Sequence, residues 1–451
     1  MANSILGSDE LDSLSQKIVK LSKSDWCEVS IDSSHTAHLR YAANTVSTSG
    51  STLNTSIAIT CASGKRTGSV STNDLSDDGL SRAVRRAEEI AKLAPENEEL
   101  MPPLDGKQTY LRSAQFDESS SDDSYTANER ARIAEQAIKE AKARRYVAAG
   151  FLQTTVGSSA YRNSKGLFVA DQKTRTTFST TMRTEDGSAS GWNKRATHAI
   201  ARLDSERAIR RAAEKCAAWR KLDEMDPGVY KTILEPSATA DMMQQFMWSL
   251  DSRSAEEGRS PYSRANGATA IGEEIFSPKV RMYSDPNHPL VPSGIYTDGG
   301  MPAEQMDWVK DGKLVNMPRG RFWAQKTGKR AVGGPSNIIM EGGAQLPEDF
   351  LTTVKEGLLI TSLWYIRDVD HQTLLKTGLT RDGVFWVENG EIKRAVMNFR
   401  WNESPLNVFK NVEDFSKPIV TAPRDGDDDI PMLAPMLLLK GFNFSSISDA
   451  V

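Results

Sequence analysis

Apolar positions in the first half of the chain alternate between two periods, and the alternation runs through twice. Leu11, Leu14, Ile18 and Leu21 recur at helical spacing. Next come DWCEVSIDSS and STLNTSIAITCASGKRTGSVS, rich in β-branched residues and reversed at Ser-Gly-Lys, which read as antiparallel strands. A helix, RAVRRAEEIAK (82–92), closes the unit after the helix start DLSDDGLS. The second pass has the same order. ANERARIAEQAIKEAKARR (127–145) places Ile133, Ala137 and Ala141 on one face, and TRTTFSTTMRTEDGSASGW supplies strands reversed at Glu-Asp-Gly. RAIRRAAEKCA (207–217), after RLDSE, matches the first closing helix. The pattern predicts an N-terminal domain over 1–225 built of two helix–meander–helix units, about 1–95 and 120–225. The polar, Pro-containing LAPENEELMPPLDGK…DESSSDDS between them reads as a linker.

Beyond residue 226 the character changes. Tyr230 to Leu234 begins a strand, and TADMMQQFMWSL (239–250) has the period of a helix. Strands and turns then dominate. DWVKDGKLV (307–315) and VFWVENGEIKRAV (384–396) read as hairpins closed by Asp-Gly and Asn-Gly, the residues a type I′ turn demands. Residues 226–451 therefore form a large, mostly antiparallel β-rich domain, and the fold class is α+β. A doubly wound sheet is disfavoured because helices do not regularly separate the strands. PMLAPMLLL (431–439) is too short to cross a bilayer, is broken by Pro435, and reads as a buried strand.

Bulk properties narrow the function. The 451 residues suffice for two or three domains. The net charge of -4, with both signs mixed along the chain, gives no basic face for nucleic acid. The runs RRA near Arg85 and RGRFW near Arg319 read as solvated helix or turn positions. Cys27, Cys61 and Cys216 are odd in number, far apart in sequence and without CxxC spacing, which fits a reduced chain with no cysteine zinc site. MANSILGSDE lacks a basic n-region and an apolar h-region, so no signal peptide is expected, and the expected location is cytoplasmic without membrane attachment.

Candidate chemistry is sparse. Of His35, His38, His198, His288 and His371, none is followed by Glu. His35 and His38, three apart on a strand, point to opposite faces. His288 sits among prolines in a loop, and His371 in RDVDHQT reads as a hydrogen-bonded turn or a ligand. GSASG (187–191) has Ala189 where a nucleophile elbow needs serine, and AVGGPSN and MEGGAQ lack the Lys-Ser/Thr of a phosphate loop. RDGDDD (424–429) lacks the alternating ligands and terminal Glu of an EF-hand loop and reads as a solvated connection. Arg367, Asp368, Asp370, His371, Arg381 and Asp382 form a charged series inside an apolar β region, either a salt-bridged turn or a catalytic cluster. In the 239–250 helix, Met242, Phe246 and Leu250 make an apolar line that Met243 and Met247 broaden. Gln244 and Gln245 serve poorly as metal ligands or as a base, so the helix reads as a packing helix.

Four stretches together carry a resemblance: ASGKRTGSVSTNDLSDDGLSRAVRRAEEIAK (62–92), NSKG (163–166), SDPNHP…GIYTDGGMPAEQMDWVKDGKLV (284–315) and EGLLITSLWYIRDVD…TGLTRDGVFWVENGEI (356–392). In this order they resemble the TldD/PmbA family, whose members are labelled modulators of DNA gyrase or zinc-dependent proteases. The resemblance implies an N-terminal α/β domain and a C-terminal β-rich domain, assembled as dimers around an enclosed cavity. In the active branch an HExxxH helix and a later cysteine bind zinc, and unfolded peptides are cleaved. Here the helix at that place runs Met242, Met243, Gln244, Gln245, Phe246, Met247, and no cysteine follows residue 216. The chain resembles the metal-free branch, with no cofactor of its own. Three readings follow. The first is a non-catalytic subunit lining a peptide chamber, dimeric with itself or with an HExxxH-bearing paralogue. The second is a stand-alone enzyme using Arg367, Asp368, His371, Arg381 and Asp382. The third is a homodimeric peptide-binding scaffold.

Overall fold

The computed structural model describes residues 4–427 and 429–449. In the N-terminal half, helix α1 (Ser8–Leu21) precedes strands β1 (Trp26–Ala42), β2 (Thr45–Ser63) and β3 (Arg66–Thr72) and helix α2 (Asp77–Leu93). A short helix α3 (Glu118–Ser121) leads to α4 (Asp123–Arg144), β4 (Tyr146–Asn163), β5 (Phe168–Thr184), β6 (Ser190–Thr197) and α5 (Ser205–Ala218). The strands form one antiparallel sheet in the order β3-β2-β1-β4-β5-β6. The long helices cover one face of it. Leu11, Ile18, Ile31, Ile57 and Leu80 pack in one cluster, and Ile133, Ala137, Leu152, Phe178 and Ala212 in another.

Two glycines set how closely the closing helices approach. A Cβ on Gly68 of β3 would lie 2.1 Å from the Ala87 carbonyl oxygen of α2, and one on Gly191 of β6 would lie 2.2 Å from that of Ala212 in α5. Only glycine lets a strand meet helix backbone at that range. The segment from 95 to 117 is irregular but anchored: the Tyr110 hydroxyl donates to the Gly300 carbonyl at 2.7 Å, and Gln115 donates to Asp171.

The C-terminal half starts with strand β7 (Gly228–Leu234) and helix α6 (Pro236–Trp248). Its strands build a six-stranded and a nine-stranded sheet. Most pairings are antiparallel, but Glu356–Ile360 lies parallel to β7, and Ile338–Met340 parallel to Met432–Ala434. Asp311-Gly312 and Asn389-Gly390 close their hairpins with all four φ angles positive, as a type I′ turn requires. PMLAPMLLL is not one strand. Pro435 divides it, so that Met432–Ala434 joins the six-stranded sheet and Leu437–Ser448 the nine-stranded one. A proline cannot donate to a central ladder, and the chain changes sheets there. The main core surrounds α6: Phe246 meets Tyr262, Phe276 and Phe409 edge-on, and Met242 and Leu250 are buried with it.

Candidate functional site

The face of the N-terminal sheet away from its helices is polar. Strand alternation places Ser30, Ser34 and Thr36 of β1 on it, beside Gln153 and Thr155 of β4 and Thr177 and Ser179 of β5. Two cavities open along this face, of about 680 and 320 Å³, and they share Gln153, Arg175 and Asp429. The larger is lined by hydroxyls together with acidic, basic and amide side chains, and reaches Ser293, Tyr296 and Ser336 of the C-terminal half. The smaller holds Phe151, Trp192, Lys194, Trp364 and Arg424. Together they make a groove between the two halves whose walls mix hydroxyls with charges of both signs, among them Asp32, Asp171, Lys173, Arg175, Lys194 and Arg424.

At the cationic end the Arg424 guanidinium lies between Trp192 and Trp364, 4.5 and 5.4 Å from their ring centroids. It pairs with the buried carboxylate of Asp382 at 2.5 Å, which also accepts the Ser190 hydroxyl at 2.5 Å. Burial raises the Asp382 pKa, but the Arg424 charge and the Ser190 hydrogen bond outweigh burial and hold it below the usual carboxylate range.

The charged series 367–382 is therefore not one cluster. Arg381 and Asp382 belong to this Trp–Arg corner. Arg367, Asp368, Asp370 and His371 sit at the hairpin between Leu363–Asp370 and Leu375–Thr380, where Asp368 pairs with Lys376. Asp370 holds the turn by accepting from the Gln372 and Thr373 amides, and His371 is 81% exposed, 3.8 Å from Asp368. His35 and His38 lie along β1, and the His38 ring stacks on Phe151. Ala189 is buried at the β5–β6 turn rather than at an elbow.

Helix α6 does more than pack. The segment from Ala422 to Asp427 crosses it, so the 424–429 run is fastened to the helix at Asp425 and Asp427, while the Asp427 and Asp429 residues remain exposed as its composition suggests; residue 428 lies outside the described residues. The Gln244 carboxamide donates to the Asp427 carbonyl at 3.1 Å and accepts the Asp427 amide at 2.7 Å. A Cβ on Gly426 would lie 1.8 Å from the Gln244 oxygen, so a larger residue where the strap meets the helix would push the carboxamide away from its place. The Asp241 carboxylate accepts the Asp425 amide at 3.0 Å, while its second oxygen is buried with no hydrogen-bond partner. Burial pushes the Asp241 carboxyl up to about 7, against the backbone amides that favour its charge. Asp425 in turn accepts the Ile366 amide at 2.6 Å.

The zinc that the resemblance assigns to the active branch does not fit this donor set. Met242, Met243 and Met247 are in the core, and both ends of the Gln244 carboxamide are committed to backbone. Among the described residues no three His, Cys, Asp or Glu side chains gather in metal-binding proximity. Two thiols far apart in sequence do meet: Cys27 and Cys61 oppose each other on β1 and β2, their sulfurs 3.9 Å apart.

Sequence reasoning also missed a buried ionic lock. Glu235, at the start of α6, accepts Lys215 of α5 at 2.5 Å and Arg211 at 3.0 Å, and Arg207 pairs with Glu348. The signal was present in the matched helices, where Lys215 replaces the Ile90 of its counterpart. A charge on a core-facing helix position implies a buried partner.

Comparison with known proteins adds three matching family profiles. The PmbA/TldA metallopeptidase domain 1 matches residues 27–91, the central domain 116–218 and the C-terminal domain 227–446. Metalloprotease PmbA of Escherichia coli O157:H7 is 26% identical over 391 residues, covering 82% of this chain and 81% of its own. Among solved structures, TldE from Thermococcus kodakarensis superposes with a TM-score of 0.84 at 18% identity, over 96% of this chain and 99% of its own. A Thermotoga maritima protein described as a modulator of a DNA gyrase gives 0.81 at 18% identity, over 96% and 100%. At that identity the structures speak for the fold.

Proposed function

The chain belongs to the TldD/PmbA (PmbA/TldA metallopeptidase) family, and from that premise we propose that it is a subunit without its own zinc site, forming a wall of the peptide chamber of a dimeric peptidase. The observation that carries this reading is the state of α6. Where the active branch would present histidines and a glutamate, this helix turns methionines into the core and uses Gln244 to fasten the 422–427 strap. Peptide hydrolysis needs an activated water or a nucleophile, and the groove carboxylates Asp32, Asp171 and Asp298 stand among hydroxyls and cations, with no three-ligand metal set among the described residues. What they support is holding an extended chain through its backbone, which is sequence-tolerant.

The N-terminal half is read with it as a duplicated unit, supported by Gly68 and Gly191 meeting helix positions that correspond in RAVRRAEEIAK and RAIRRAAEKCA. The test is cleavage of an unfolded peptide by this chain, by an HExxxH-bearing relative from the same organism, and by the two mixed. The reading expects none from this chain, and more from the mixture than from the relative alone. Chelator-insensitive cleavage by this chain alone would defeat it and direct attention to the Arg381–Asp382–Arg424 corner.

A further inference from the structure

Successive side chains of β6 point to opposite faces of the sheet. Lys194 lines the groove, so Asn193 and Arg195 face the other way, toward α5. There a cavity of about 30 Å³ lies between the two halves, bounded by β6, α5, the start of α6 and the segment around Pro347. The charged side chains that line it are Arg195, Arg207, Arg211 and Lys215 against Glu235 and Glu348. Pairing uses both carboxylates. Glu235 accepts Lys215 at 2.5 Å and Arg211 at 3.0 Å, and Glu348 accepts Arg207 at 3.1 and 2.5 Å. Asp204 beside Arg207 and Glu214 beside Arg211 stand outside the cavity, with side chains 52% and 43% exposed. Arg195 is left over. Among the described residues no carboxylate pairs with it, and its Nη1 donates only to the carbonyl of its neighbour Lys194, at 3.3 Å.

We infer that this cavity is a binding site for one monatomic anion, a halide such as chloride, held by Arg195 and Asn193. Arg195 is 9% exposed. Burial, with Arg207 nearby, lowers its pKa only to about 10, so it stays charged at neutral pH. A buried charge without a counter-ion is costly. Asn193 gives a second, independent sign. It lines the same cavity, is 7% exposed, and its carboxamide oxygen is buried with no hydrogen-bond partner. The two ends of a carboxamide are told apart only by their partners, and the turned group offers an N–H donor at that place. Pro236 and Ser237 bring the first turn of α6 to the cavity without a side-chain cap, so its amides add to the positive potential.

Size selects the ligand class. About 30 Å³ matches the share one water takes in the liquid, enough for a monatomic ion. A water there would satisfy the donors, but only an anion offsets the charge that Glu235 and Glu348 leave over. The site joins β6 and α5 of the N-terminal half to α6 and Glu348 of the C-terminal half, so its occupancy bears on how firmly the halves are held together. Trp192 lines both this cavity and the groove, and its other neighbour is Arg424. The inference is independent of the chamber reading, because no part of it requires a peptide to bind.

The test unfolds the full chain in urea at constant ionic strength while gluconate, too large for the cavity, is replaced stepwise by chloride. The unfolding constant should fall as chloride rises, by about tenfold when chloride reaches ~10 times its Kd. Arg195→Met, which keeps the stem and removes the charge, should lose that response. Crystals of the wild type grown in bromide should show an anomalous peak within hydrogen-bond distance of the Arg195 guanidinium. This second measurement needs no variant, so it decides the matter even if Arg195→Met does not fold. Equal unfolding in the two salts overturns the inference. So does a chloride response undiminished in Arg195→Met, or bromide crystals with no peak in the cavity.

Discussion

Replacing Glu235 with alanine probes the contact that ties the two halves together. The Glu235 side chain is 8% exposed and that of Lys215 4%, so neither charge is screened by water. Removing the carboxylate strands Lys215 and Arg211 near each other and near Arg195, whose side chain is also buried. Breaking a buried pair in this way costs about 3–5 kcal/mol. Lys215→Met should cost less than half as much: the methionine fills the lysine stem's space, and Glu235 keeps Arg211 at 3.0 Å. Urea unfolding of both variants measures the difference. The pH dependence follows from the sign of the shift. Burial raises the Glu235 pKa, but Lys215 and Arg211 outweigh it, so the folded value lies below the unfolded one. The stabilisation is thus complete above roughly pH 4.3 and is lost as pH falls through the folded value. The gap between wild type and Glu235→Ala should narrow only on acidification below that point. A loss under about 1 kcal/mol, or one no larger than that of Lys215→Met, would refute the argument.

Phe246→Ala should lose about 3–5 kcal/mol in the same assay, because three aromatic rings meet Phe246 edge-on in a fully buried setting; a loss below about 1 kcal/mol would show that the ring is not a core element. Asp241 holds its proton to about 7 when folded, against roughly 3.9 when unfolded. The folded chain therefore binds the extra proton between those values, and stability falls as pH rises through that window. Asp241→Asn should gain on wild type at pH 8, by up to about 3–4 kcal/mol, and hardly at all at pH 4; an equal effect at both pH values would contradict the assignment. Gly191→Ala should destabilise by about 1–3 kcal/mol, since its Cβ meets α5 backbone rather than a movable side chain, and thermal melting no lower than wild type would count against that contact.

Much of the fold was legible because local chemistry dictates it. Asp311-Gly312 and Asn389-Gly390 could be read as type I′ turns from two residues each, and both close hairpins. Leu11 and Ile18, like Ile133 and Ala137, announce the faces that helices α1 and α4 bury. The β1–β2 turn was not legible: Ala43 and Asn44 both take positive φ, and alanine gives no sign of it. Pro435 was visible as a break, but only strand pairing reveals that it divides two sheets. The site was harder to read, since its parts come from distant positions. Ser190, Asp382 and Arg424 meet although more than 190 residues separate the first from the second. The 367–382 series is close in sequence and yet divides between a solvent-facing hairpin and a buried corner. The α6 glutamines illustrate the same limit. Their lack of metal-binding character could be read directly, whereas the pairing of Gln244 with Asp427 depends on a strap 183 residues away.

The central claim is that this chain has the family's architecture without its zinc site, and the most direct measurement is the metal content of the purified protein. After dialysis against metal-free buffer, elemental analysis should find zinc far below stoichiometric, because α6 offers methionines and a committed glutamine where ligands would have to stand. About one zinc per chain retained through dialysis would contradict the account.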